Sequence, residues 1–189
     1  MIVRDVLKNA ITYLGLSDLL STTTFSGSLT PTEQQEIEIN TLVACCNLVV
    51  NEVASEYITL KNSVNLTSNT GIIYYSQISD KVIVDILKVI KNGVELKFEC
   101  LPDKLKTESG NLIVEFAYQP NLNMTISSTI DFNNFKLNER VLAYGVVAEY
   151  CFINGRYDDA AIWDNRFKTS LNNINRPRRE VKIKQRLWI

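Results

Sequence analysis

Residues 82 to 100 read Val82-Ile83-Val84-Asp85-Ile86-Leu87-Lys88-Val89-Ile90-Lys91-Asn92-Gly93-Val94-Glu95-Leu96-Lys97-Phe98-Glu99-Cys100, and this stretch decides the fold class. Two β-prone runs flank Asn92-Gly93. A type I′ turn needs positive φ at both central residues, and Asn-Gly tolerates it, so the dipeptide predicts a hairpin. Val94 to Cys100 alternates apolar and polar residues, as a half-buried strand does. Residues 58 to 66 form a further β-prone run, as do Ile72-Ile73-Tyr74-Tyr75. Leu112 to Tyr118 is another, entered through a turn at Glu108-Ser109-Gly110-Asn111. Residues 58 to 118 therefore read as a small antiparallel sheet or sandwich. Alternation would place one of Tyr74 and Tyr75 in the core and the other outside.

Outward from this segment the hydrophobic period changes to that of a helix. On the N-terminal side, Val3, Val6, Leu7, Ala10, Ile11 and Leu14 describe one helical face, and Gly15 is placed to cap it. Residues 16 to 30 are rich in Ser and Thr and read as a loop, packed in part through Leu19, Leu20, Phe25 and Leu29. Thr30-Pro31-Thr32-Glu33 predicts a helix start, with Thr30 as cap, Pro31 first in the helix and Glu33 completing the box. The helix should run to Tyr57 on a stripe of Ile39, Leu42, Val43, Cys46, Val49, Val50, Val53 and Tyr57.

On the C-terminal side, residues 119 to 135 are a polar connection. Helical spacing returns at Leu137, Val141, Tyr144, Gly145, Ala148, Cys151 and Phe152, and Asn154-Gly155 ends it. Gly145 and Ala148 would let another helix approach closely. A last helix begins near Asp158, with Ala160, Trp163, Phe167 and Leu171 inward, and Pro177 stops it. Strands grouped apart from helices indicate α+β. The expected architecture is a bundle of about four helices (1-57 and 136-175), an inserted β module with its connecting loop (58-135), and an extended basic C-terminal arm (176-189).

Composition excludes several functions. The chain has 189 residues, 46% hydrophobic and 22% charged, with a net charge of -1. It contains no histidine, which removes Ser-His-Asp and Cys-His catalysis and most catalytic zinc sites. Cys45, Cys46, Cys100 and Cys151 form no Cys-x-x-Cys pair and read as small core hydrophobes. No phosphate-binding loop, dinucleotide fingerprint or nucleophile elbow occurs. Asp158-Asp159 suits the first turn of a helix, and Glu33, Glu36 and Glu38 suit a solvated helix face. No catalytic, cofactor-binding or metal residue is assigned, and the reading is non-enzymatic. No apolar run reaches the ~18 residues of a membrane span, and no secretory signal opens the chain.

The segment richest in functional information is the end, Arg176-Pro177-Arg178-Arg179-Glu180-Val181-Lys182-Ile183-Lys184-Gln185-Arg186-Leu187-Trp188-Ile189. Its six basic residues against Glu180 carry +5, leaving -6 on the rest of the chain. Val181, Ile183, Leu187 and Ile189 alternate with Lys182, Lys184, Arg186 and Trp188, which is strand periodicity. Such an arm is suited to strand addition and charge pairing on a partner, or to folding back as a last strand on the chain's own sheet. Nucleic-acid binding is the alternative use of the basic arm, although phosphate contacts do not require the four apolar residues.

Four stretches carry a family resemblance. The run Arg140-Val141-Leu142-Ala143-Tyr144-Gly145-Val146-Val147-Ala148-Glu149-Tyr150-Cys151-Phe152-Ile153-Asn154-Gly155 resembles the penultimate helix of head–tail connector (adaptor) proteins of tailed bacteriophages and prophages. So do the following Tyr157-Asp158-Asp159-Ala160-Ala161-Ile162-Trp163 and the basic ending in Leu187-Trp188-Ile189. Asn47 to Tyr57 is similar to the family's long helix before its β insertion. The resemblance implies a ring of about a dozen copies under the portal vertex. It implies helices in the ring wall, the β module toward a downstream tail or neck protein, and DNA passing through without sequence-specific binding. Arg178, Arg179, Val181, Lys182, Ile183, Lys184, Arg186, Leu187, Trp188 and Ile189 are then the expected portal-binding residues. The implied location is the virion, after assembly in the host bacterial cytoplasm.

Overall fold

The computed structural model describes residues 1–121, 123–130, 132 and 137–175. The fold is α+β with antiparallel sheets. Helix α1 (Val3–Leu14) buries Val3, Val6, Leu7, Ala10 and Ile11, the expected face. The following polar segment is not wholly loop. It contains a turn of helix, α2 (Ser17–Leu20), and a 3-10 turn (Thr23–Phe25), which bury Leu19 and Phe25.

Helix α3 (Glu33–Glu52) starts two residues later than its sequence predicts. Thr32, not Thr30, is the cap. Its hydroxyl accepts from the Gln35 amide at 3.4 Å, and the Gln35 side chain accepts from the Thr32 amide at 3.0 Å. Thr30 and Thr32 both have an acid or amide three residues on, and only the second box leaves Pro31 outside the helix. The helix continues as a π turn (Val53–Tyr57). Cys45 is buried beside the predicted stripe, because α3 is covered on more than one side. By length and composition Glu33–Tyr57 is apolar enough to cross a membrane, a test that core helices of water-soluble proteins also meet. Here Leu42, Cys45, Cys46, Val49 and Val50 are buried in the protein core.

The β region forms two antiparallel sheets. One has the order β1 (Leu60–Ser68), β7 (Gly110–Tyr118), β3 (Ile83–Lys91), β4 (Val94–Leu96). The other has the order β2 (Ile72–Tyr74), β6 (Lys104–Lys106), β5 (Glu99–Cys100). The hairpin turn forms as predicted: Asn92 and Gly93 have φ of 51° and 81°, and Lys91 pairs with Val94.

Two β readings need correction. The alternating run from Val94 to Cys100 is not one strand. It breaks at Lys97-Phe98, where the chain passes from the larger sheet to the smaller. Alternation persists across such a corner, so the pattern alone cannot reveal it. Tyr75 does not continue β2 but opens a helical turn, α4 (Tyr75–Ile78), and Tyr74 is 47% exposed. Ile73, Ile78, Ile86, Val89, Leu105, Leu112, Val114 and Phe116, drawn from both sheets and α4, form one buried apolar cluster.

Helix α5 (Glu139–Ile153) is capped by the Asn138 side chain, which accepts from the Val141 amide at 3.1 Å. Most of its circumference is buried, from Val141 to Ala143 and from Gly145 to Ala148. The predicted stripe is therefore too narrow. Helix α6 (Tyr157–Asn175) buries Ala160, Phe167, Leu171 and Ile174. Gly145 is where these helices meet closely, as expected. A Cβ there would lie 2.8 Å from the Val49 side chain and 3.1 Å from the Phe167 ring.

The segment after β7 ties the molecule together. Asn47 on α3 donates to the Met124 carbonyl at 3.2 Å and accepts from the Met124 amide at 3.1 Å. The Val3 and Arg4 amides, unsatisfied within α1, donate to the carbonyls of Ser128 and Ile126, each at 3.0 Å. Met124 and Ile130 thereby pack with the helices. Phe132 contacts both apolar clusters.

Candidate docking surfaces

The ten residues predicted from sequence to bind a partner, Arg178 to Ile189, lie outside the described residues, as does Pro177. Two surface features stand out.

The first lies at the junction of α5 and α6. Phe152 and Tyr157 are 60% and 64% exposed, and their rings meet edge to face at 5.5 Å. Ile153 and Ile162 are exposed as well, at 55% and 65%. Sequence periodicity places Phe152 inward; the helix ends there, so nothing in the described residues covers it. Ile162 fits no inward stripe of α6, and this misfit was the available sequence signal. An open groove of about 410 Å³ runs between Ala148, Glu149, Phe152, Tyr157, Ala160, Ala161, Asp164 and Lys168. Lys168 donates to Asp164 at 2.9 Å. Glu52 stands nearby, its carboxyl raised above the ordinary value by burial. Lys168 opposes the rise, and Glu56, Asp164 and Glu149 add to it.

The second feature joins α1, α5 and α6. Tyr13 stacks on Trp163 at 5.3 Å, and Tyr144 meets Trp163 at 5.6 Å. The Arg166 guanidinium lies 5.0 Å from the Trp163 ring centre and 5.5 Å from that of Tyr144. Arg140 donates to the Tyr13 hydroxyl at 3.1 Å. Tyr13 is off the apolar face of α1, so sequence periodicity gives it no role. Both arginines already have partners, and the cluster's evident task is to lock three helices together.

Elsewhere the chemistry is structural. Cys45, Cys46 and Cys151 are buried, while Cys100 is exposed, contrary to its reading as a core residue. Cys100 sits at the sheet corner, on a strand of only two residues. Burial pushes the Cys45 thiol up to about 11 and the Cys46 thiol to about 12, so neither is a nucleophile at neutral pH. The Tyr150 hydroxyl is raised by burial and by its hydrogen bond to Glu38 at 2.5 Å. Asp159 accepts from Arg156 at 2.7 Å at the start of α6. Among the described residues no group of three acidic or cysteine side chains is placed to hold a metal ion. No protein-family model and no curated protein matches the chain.

Proposed function

We propose that the chain is a virion structural protein, a head–tail connector that forms a ring between the portal vertex and the tail. In this role it has no enzymatic activity, no cofactor and no membrane span. The observation that carries the reading is the pairing of a helical framework with an antiparallel β module, together with the helical stretches that resemble connector proteins. A ring subunit also needs heterologous contact patches that close by rotation. The exposed Ile153 and Ile162, which do not line the α5–α6 groove, supply one candidate.

Within this reading the helices form the ring wall, the β module faces the next tail or neck protein, and the C-terminal arm docks on portal. Deleting residues 178 to 189 is expected to leave helicity unchanged and abolish co-sedimentation with portal. Trp188→Ala alone should weaken it, since buried aromatic anchors commonly contribute ~2 kcal/mol or more. Unchanged portal binding by the truncated chain would remove the arm from the account. Nucleic-acid binding is the second reading, favoured by the segregation of charge into the arm. Phosphate binding falls steeply with ionic strength, whereas docking through the apolar side of the arm should persist.

A further inference from the structure

The groove between α5 and α6 has apolar walls and an acidic rim. Phe152 and Tyr157 are its exposed aromatic wall, and Ala160 and Ala161 line it beside them. Glu149, Asp164 and Lys168 line it, and Glu52, Glu56 and these three side chains feel one another's charges. Among the described residues, negative charge is left in excess beside an exposed apolar surface. An occupant should therefore be both apolar and basic.

The chain itself supplies such a segment. Residues 176–189 carry six basic residues against one acidic and end in Leu187-Trp188-Ile189. They leave from α6, the helix that forms one side of the groove. Ala161 lies fourteen residues before Asn175, about 21 Å back along the helix at ~1.5 Å per residue. Leu187 lies twelve residues beyond Asn175, a reach of about 40 Å when extended. The difference leaves room for the chain to reverse.

We propose that this groove is the intramolecular seat of the chain's own C-terminal segment, with Leu187 and Trp188 against Phe152 and Tyr157. Tethering favours the chain's own segment over a second copy's, because a short linker gives an effective concentration in the millimolar range. The seat stands apart from the portal reading. If that reading holds, portal must draw the arm out of its seat.

Disulfide trapping in the full-length chain tests the seat without portal. Ala161→Cys, an exposed position, is paired with Leu187→Cys in a Cys100→Ser background, which removes the exposed native thiol. The control pairs Leu187→Cys with Ser63→Cys on exposed β1. Mild oxidation is expected to give an intrachain link in a monomer, at a yield well above the control. Raising the salt should reduce that yield, and so should Glu149→Lys with Asp164→Lys, with far-UV circular dichroism unchanged. A yield no higher than the control overturns the proposal. So does a link found only between two chains, which would assign the groove to a second copy's arm.

Discussion

The helical core and the β module solve the burial problem differently. From Val141 to Val147 the neighbouring helices bury α5 on most sides, and Gly145 removes a side chain so that Val49 and Phe167 can close in. The β module packs two small sheets over one apolar layer and leaves β1 as an edge strand with mostly exposed residues. The first region is specified by close packing and the second by turns and register. Substitutions should therefore fail by different routes in the two regions.

The largest effect is expected from removing the central ring of each core. Phe167→Ala and Phe116→Ala should each cost ~3–5 kcal/mol locally, from lost burial and the cavity left behind. Both side chains are essentially fully buried. Hydrogen exchange should show Phe116→Ala loosening the strands while α5 stays protected, and Phe167→Ala the reverse. Global loss of protection in both variants would mean that the Asn47–Met124 and Phe132 contacts merge the two regions into one cooperative unit.

A smaller effect separates packing from propensity. Ala is preferred to Gly within a helix by ~1 kcal/mol, yet Gly145→Ala should destabilise by ~1–3 kcal/mol, because the added methyl collides with Val49 and Phe167. Thermal denaturation decides the sign. An increase in Tm would show that α5 and α6 can separate freely.

The last effect vanishes at neutral pH and appears only in alkali, through two buried thiols. The Cys45 and Cys46 thiols ionise near 9.0 when unfolded but only near 11 and 12 when buried. Their contribution to stability is complete below 9.0 and is lost as pH rises through the folded values. A denaturant series across that window should show α3 and α5 losing stability, with a shallower slope in Cys46→Ala. An identical slope would assign the loss to other groups.

The parts legible in the sequence were those set by local chemistry. Asn92-Gly93 carries its own backbone requirement, and Gly145 with Ala148 marks a close approach by size alone. Features set by distant chain were not legible. The break at Lys97-Phe98 depends on which sheet each half joins, and β6 is too short to show a period. Thr30 and Thr32 present equivalent caps until the path of Pro31 is known. The α5–α6 groove draws on two helices whose faces only meet in three dimensions. Phe152 therefore read as core although it is exposed.

Native mass measurement of the purified chain with portal tests the central claim most directly. The connector account predicts that each portal ring acquires a ring of copies of this chain. Binding of a single copy per portal ring, or no binding at all, would contradict it.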